Sequence, residues 1–353
     1  MSLDYIRKKV DALDAELLAL LNRRMEMTIR TKNLKQQAED AGREKEVMAH
    51  ITSESRALVT TAFAQTLFRE IMAESKRLQK EDRRLIGFQG EHGAYSEIAS
   101  GIHDATAVAI PHREFVDIFE GVDAGILDYG VVPIENSLGG NVAQIDDLLI
   151  EHDLSIIAEV NVPISHCLIT LPDTHYRDVR AVYSHPQALS QCRGFIARNQ
   201  LEPRPYYDTA GSALMLAREK PKATAVIASA LSAELYNLQI LKEHIEDVHT
   251  NCTRFVVLAK EPTRDRGDKC SIIFSAVEDR PGTLFRLLSA FSEAEINLTR
   301  IESRPLRNGP GKYAFLVDFL GSEDEAHVKA ALAKVRQEGA LFKFLGCYRK
   351  ADV

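Results

Sequence analysis

Three kinds of apolar patterning follow one another along the chain. The first 41 residues hold no glycine and no proline, and Leu13, Leu17, Leu20 and Leu21 share one side of a 3.6-residue turn. This predicts one long first helix, of about 50 Å at 1.5 Å per residue. A shorter helix is predicted over 43–56, and Leu58, Phe63, Leu67, Phe68, Ile71 and Leu78 mark a third. From Leu85 to about Ala259, apolar runs at 85–88, 129–132, 156–160, 181–184 and 225–228 alternate with helical stretches. That alternation predicts an α/β domain with largely parallel pairing, whose ligands would sit beyond the carboxyl ends of strands. The last block reads strand 270–277, helix 284–294, strand 297–303, strand 313–319, helix 323–337 and strand 341–348, a βαββαβ order with turns at Pro281-Gly282 and 309–311. Charge runs at 80–84 and 260–269 separate the blocks, so domains are expected over 1–84, 85–261 and 269–350.

Composition narrows the function classes. With 353 residues the chain has room for two or three cores. A net charge of -7 argues against nucleic acid or an anionic membrane as the main partner. The five cysteines are scattered and lack Cys-x-x-Cys spacing, as expected of reduced thiols in the cytoplasm. No signal peptide and no apolar run of membrane-spanning length is evident. A long helix with two short companions cannot bury its own leucine stripe, which predicts a homodimer or a higher homo-oligomer.

Cations interrupt that stripe. Arg24 falls seven residues after Leu17 and Lys35 eleven after Arg24, both near whole numbers of turns. A cation on a buried face calls for an anionic partner, so the helices are expected to hold an anionic small molecule. The ordered set Arg7, Arg24, Lys35, Asp40, Arg43, Glu44, Ser75 and Gln79 resembles the helical chorismate mutases. The resemblance implies a pericyclic rearrangement of chorismate to prephenate. In it Arg7 and Arg24 clamp carboxylates, Lys35 and Gln79 face the ether oxygen, and Glu44 holds the ring hydroxyl. Arg7 would serve the pocket of a partner subunit, and Lys32 is the alternative to Lys35. A helical unit that only dimerises is the competing reading.

In the middle block the informative segments are Gly130-Val131-Val132-Pro133-Ile134-Glu135-Asn136-Ser137, Ser184-His185-Pro186-Gln187-Ala188-Leu189-Ser190-Gln191 and Asn251-Cys252-Thr253-Arg254-Phe255. From Gly87 to Leu258 the chain resembles prephenate dehydratase, with its Thr-Arg-Phe signature at 253–255. The resemblance implies two α/β lobes with a cleft between them and conversion of prephenate to phenylpyruvate. Thr253 would protonate the departing hydroxyl and Arg254 clamp a carboxylate, with Glu135, Asn136, Ser184, Gln191 and Phe255 lining the substrate. Three other readings fail on spacing. Ser184-His185 lacks a nucleophile elbow, Gly87-x-x-Gly90-x-x-Gly93 is not a nucleotide loop, and His244, His249 and Cys252 lack paired metal-ligand spacing. No metal and no cofactor is expected. A two-lobed sensor without chemistry is the alternative from another class.

The βαββαβ block, a ferredoxin-like arrangement, resembles an ACT domain through Arg280-Pro281-Gly282-Thr283-Leu284 and 297–305. The resemblance implies an L-phenylalanine effector site built from Gly282, Thr283, Leu284, Asn297, Leu298, Glu302 and Ser303. A module used only for dimerisation is the alternative. The expected fold class is thus multidomain: an all-α helical chorismate mutase domain, a two-lobed α/β prephenate dehydratase domain and a ferredoxin-like ACT domain.

Overall fold

A computed structural model describes residues 2–34, 40–55, 58–263, 266–276, 280–306 and 312–351. The chain divides into two compact units, Met1–Leu85 and Ile86–Val353.

The first unit contains α1 (Leu3–Ile29), α2 (Ala41–Glu54) and α3 (Thr61–Lys80). Each helix is capped by a side-chain oxygen: Ser2 accepts from the Tyr5 N–H, Asp40 from Arg43 and Thr60 from Phe63. The first helix is shorter than its composition predicts. Its 27 residues span about 40 Å. The Thr28 hydroxyl donates to the Arg24 carbonyl and the Thr31 hydroxyl to that of Thr28, so side chains compete for the carbonyls of the last turn. Beyond Ile29 the chain bends through a 3₁₀ turn at Lys32–Leu34, and counting whole helical turns onward to Lys35 loses its basis. On α3, Ala64, Ile71, Ser75 and Gln79 are buried. On α1, Leu3, Ile6, Val10, Leu13, Leu17 and Leu20 are all exposed, spaced alternately three and four residues apart in the manner of a coiled-coil seam.

The second unit begins with β1 (Leu85–Gln89), α4 (Tyr95–His103), β2 (Val108–His112), α5 (Phe115–Asp123), β3 (Tyr129–Asn136), β4 (Gly140–Asn141), α6 (Ala143–Glu151) and β5 (Ser155–Pro163). The chain then enters a second lobe of β6 (Cys167–Thr170), β7 (Ala181–Ser184), α7 (Pro186–Gln191), α8 (Arg193–Arg198), β8 (Glu202–Pro205), α9 (Thr209–Glu219), β9 (Thr224–Ala228), α10 (Ala230–Leu235) and β10 (Gln239–Lys242). It returns as β11 (Cys252–Ala259). The first sheet has the order β2-β1-β3-β11-β5, with β4 on β3, and the second β10-β6-β9-β7-β8.

The pairing is mixed rather than largely parallel. Where a helix carries the chain back over a sheet, as for β1–β3 and β7–β8, strands are parallel. β11 arrives in mid-sheet directly from the other lobe and runs antiparallel to both β3 and β5. Every residue of β11 from Thr253 to Ala259 is buried, so both faces of this strand are covered. The lobes touch where the turn after β1 meets α10: the Ser229 hydroxyl donates to the Gly93 carbonyl. Gly93 has φ +94°, and a β-carbon there would fall 2.8 Å from the Ser232 backbone. Its glycine thus serves lobe contact.

The chain ends in β12 (Lys269–Ala276), α11 (Thr283–Glu293), β13 (Leu298–Pro305), β14 (Tyr313–Leu320), α12 (Ala326–Glu338) and β15 (Gly339–Tyr348), with sheet order β13-β14-β12-β15. Ile272, Phe274, Val317 and Phe319 pack beneath the two helices with Leu287, Phe291, Val328 and Val335. The alternating residues Ser271, Asp318 and Tyr348 are also buried, on the opposite face, against the first lobe. The approach is close: Gly346 lies against the Ile156 carbonyl, where a β-carbon would sit 2.2 Å from the oxygen.

Candidate active site

In the helical unit, Arg24 Nη1 donates to Ser75 Oγ at 2.8 Å, joining α1 to α3. Burial lowers the Arg24 pKa, and among the described residues no carboxylate pairs with it. This is a half-buried guanidinium without a counter-ion among the described residues. Gln79 Nε2 donates to the Thr28 carbonyl and to Thr31 Oγ1, each at 2.8 Å, so its N–H groups are spent on α1 rather than held out to an ether oxygen as expected. Glu44 pairs with Lys76 at 2.7 Å, a lysine the sequence reading missed. Asp40 is the cap of α2, and Arg43 is exposed and paired with Glu46. Arg7 is exposed on α1, 17 residues from Arg24 and hence about 25 Å along the helix. Lys32 Nζ is held by the Glu81 and Arg83 carbonyls. Lys35 lies outside the described residues.

In the two-lobed unit, register decides the site. Thr253 on β11 pairs with Asn136 on β3, and Arg254 with Glu135. Asn136 Nδ2 donates to Thr253 Oγ1 at 2.9 Å and to Asn251 Oδ1 at 2.8 Å. Asn136 Oδ1 accepts from the Leu138 and Gly139 N–H groups at 3.0 and 2.7 Å, which fixes which end of the amide faces Thr253. Thr253 Oγ1 is thus an acceptor, and its own hydrogen has no protein acceptor among the described residues. Asn251 is 1% exposed, and its Nδ2 is buried without a partner among the described residues. It is a second unmet donor beside the pair, and its residue type alone does not mark it out from the neighbouring Thr253. A side chain at Gly139 would meet Gln187 Nε2 at 2.8 Å, so the turn after Asn136 lies against α7 of the second lobe.

Gln191, at the end of α7, meets His166 across 2.8 Å, and His166 faces Tyr95 of α4 at 3.2 Å. Burial lowers the His166 pKa, since desolvation disfavours the charged ring. His166 and Tyr95 escaped sequence reading because each lies in an unremarkable run. Four expected site residues stand elsewhere. Ser184 is fully buried and donates to the Ile227 carbonyl at 2.7 Å. Phe255 is in the core with Ile86, Val131 and Val257. Glu135 and Arg254 occupy the sheet face opposite Asn136 and Thr253, because successive strand residues alternate sides. Arg254, expected to clamp substrate, is 7% exposed and engaged at all three nitrogens: Nε with Glu135 (3.1 Å), Nη1 with Glu159 (3.0 Å) and Nη2 with Asp318 (2.6 Å).

In the C-terminal module, Gly282 caps α11 with φ +87°, a conformation glycine adopts without strain. Thr283 begins the helix, Leu284 and Leu298 pack on its core, and Asn297 is exposed. Glu302 and Ser303 are neighbours on β13 and so face opposite sides of the sheet.

Family models match the chain in order: chorismate mutase type II over residues 6–80, prephenate dehydratase over 86–263 and ACT domain over 271–337. The chain belongs to the prephenate dehydratase family. As a family member it is an enzyme that carries chorismate mutase and prephenate dehydratase domains, and with its ACT domain it falls in phenylalanine biosynthesis. Arogenate dehydratase 5, chloroplastic, from Arabidopsis thaliana is 41% identical over 74% of this chain and 67% of that protein. The structure of prephenate dehydratase from Arthrobacter aurescens in complex with L-Phe is 32% identical, covers 75% of this chain and 90% of that one, and has a TM-score of 0.69. A chain described as the quorum-quenching acylase GqqA is 33% identical over 75% of this chain and 97% of that one, with a TM-score of 0.71. Among the described residues no helix is long and apolar enough to cross a membrane.

Proposed function

We propose that this chain rearranges chorismate to prephenate in its helical unit and converts prephenate to phenylpyruvate at the Thr253–Asn136 pair, under feedback by L-phenylalanine. One observation carries the dehydratase assignment: Asn136 donates to Thr253 Oγ1, which leaves the threonine hydrogen for a substrate oxygen. As the ring carboxylate departs as CO2, its bonding electrons aromatise the ring and expel the ring hydroxyl. Thr253 passes a proton to that oxygen, which leaves as water, and regains one from solvent. Asn251 Nδ2 supplies a further donor, and Gln191 is oriented by His166.

The mutase assignment draws on Arg24, a half-buried cation without a carboxylate among the described residues. The exposed seam from Leu3 to Leu20 supports a homodimer, in which Arg7 would reach the pocket of the other subunit. Lys35 remains the proposed donor to the ether oxygen, since Lys32 is occupied by backbone carbonyls. Gly282, Thr283, Leu284, Asn297, Leu298, Glu302 and Ser303 are proposed for the effector. Their distribution over both faces of the sheet fits a site completed at a subunit interface. The five free thiols support a reducing compartment such as the cytoplasm.

The test is turnover of chorismate, prephenate and arogenate by the full chain, with and without phenylalanine. In Thr253→Ala we expect phenylpyruvate formation to fall by about 10²–10⁴-fold, the usual scale for losing a general acid, with chorismate turnover kept. Unchanged dehydration removes the assignment. A higher kcat/KM for arogenate than for prephenate moves it to the other substrate, and phenylalanine binding without a change in rate removes the feedback.

A further inference from the structure

We propose that Arg254 is a positioning residue, which sets the strand carrying Thr253 and ties it to Asp318 in the sheet of the C-terminal module. The inference rests on the reading of Thr253 as proton donor. Thr253 and Arg254 are consecutive on β11, so one faces the candidate site and the other the opposite side of the sheet. The regular ladder is interrupted at this point: Arg254 pairs with Glu135 but Phe255 with Pro133, leaving Ile134 as an extra residue on β3. Side-chain pairing therefore does here what the ladder does elsewhere. Glu135 adjoins Asn136, so the Arg254–Glu135 contact and the Thr253–Asn136 contact are two sides of the same pair of strands.

The opposite side of this contact belongs to the C-terminal module. Asp318 of β14 takes Arg254 Nη2 on one oxygen and the Ser271 hydroxyl on the other. Glu159, the third partner of Arg254, also takes Lys269 Nζ of β12 at 2.7 Å. Arg300 of β13 pairs in register with Asp318, donates to Asp146 of α6 at 2.6 Å, and holds its Nε 3.7 Å from the other oxygen of Glu135. Arg254, Arg300, Lys269, Glu159, Asp146 and Asp318 are each less than a tenth exposed. Water cannot follow a displacement in such a cluster, so shifting one charge must move its partners. A substrate carboxylate at Arg254 would have to displace one of three protein carboxylates and add an anion where Glu135, Glu159, Asp146 and Asp318 already outnumber the three cations. The arrangement of the β13–β14 edge, where the ACT-like motif lies, is thereby passed to the strand bearing Thr253.

The experiment uses the full chain with Asp318→Asn, which keeps shape and removes charge, and Asp318→Glu, which keeps charge. In Asp318→Asn we expect dehydratase kcat to fall about tenfold, the scale of one charge-assisted hydrogen bond, with KM within about twofold. Chorismate turnover should stay unchanged, and the response of the dehydratase rate to phenylalanine should shrink. Asp318→Glu should recover part of kcat. If Asp318→Asn does not fold, Ser271→Ala, which frees the second Asp318 oxygen and the Tyr348 hydroxyl while leaving the Arg254–Asp318 bond in place, is read in its place with the same sign and a smaller loss. Wild-type kcat and an unchanged phenylalanine response in the folded variant overturn the proposal. So does Arg254→Lys with raised KM and unchanged kcat, the pattern of a lost substrate clamp. Thr253→Ala in parallel separates the two readings: full activity there removes the Thr253 assignment itself, whereas inactivity there with a silent Asp318→Asn removes only the positioning role.

Discussion

Replacing Asn136 by aspartate tests the hydroxyl chemistry with almost no change of shape. The oxygen that accepts from the Leu138 and Gly139 N–H groups is kept. The nitrogen that donates to Thr253 Oγ1 and Asn251 Oδ1 becomes an acceptor. Asn251 can turn its amide over and donate to the new carboxylate, which also gives a partner to an Nδ2 that now has none among the described residues. Thr253 has a single hydrogen, and the carboxylate captures it. A hydrogen bond to a charged acceptor contributes about 1.5–3 kcal/mol, and this must be broken before Thr253 can protonate the leaving oxygen. At 1.36 kcal/mol per factor of ten, kcat for phenylpyruvate formation should drop roughly 10–150-fold, whatever the added charge does to KM. A protonated carboxyl is a donor again, so the ratio of variant to wild-type kcat should climb as the assay is acidified. Steady-state phenylpyruvate formation against pH measures this, with chorismate turnover by the same preparation as the folding control. A kcat within twofold of wild type, or a ratio that falls on acidification, refutes the reasoning.

Ser184→Ala should destabilise the second unit by about 1–2 kcal/mol, because the Ile227 carbonyl loses its buried donor, while kcat and KM stay the same. Denaturant unfolding and prephenate kinetics decide between this and a substrate role, which a raised KM would indicate. Leu17→Glu places a charge in the exposed seam of α1 and should abolish chorismate turnover while leaving dehydration intact, as read by paired assays and sedimentation. Because burial lowers the His166 pKa, the unfolded chain binds more protons than the fold between the ordinary imidazole value near 6.5 and the lowered one. Stability should therefore fall as pH drops through that window. His166→Gln should flatten the trend in denaturant unfolding at about pH 7.5 and 5.5, and an unaltered slope would assign it to other groups.

Periodicity along the chain was enough to place the three helices of the first unit, five strands of the two-lobed block and the βαββαβ order of the C-terminal module, because a local repeat of apolar positions dictates which face a helix or strand must bury. Ile156–Val160, Ala181–Ser184 and Ala225–Ala228 are strands as predicted. The ordered motifs were enough to place the chain in its family. What the sequence reading missed depends on hydrogen bonds and strand pairings that the apolar pattern does not record. The end of α1 is set by the Thr28 and Thr31 hydroxyls turning back on the backbone, a competition that composition alone does not reveal. Thr253 and Asn136 meet only because β11 re-enters its sheet antiparallel to β3, with a register that no spacing along the chain encodes. The same register sends Thr-Arg-Phe in three ways: a hydroxyl toward the site, a guanidinium toward Asp318 and a ring into the core. Residue type specified what chemistry was available, and strand alternation with burial decided which residues perform it.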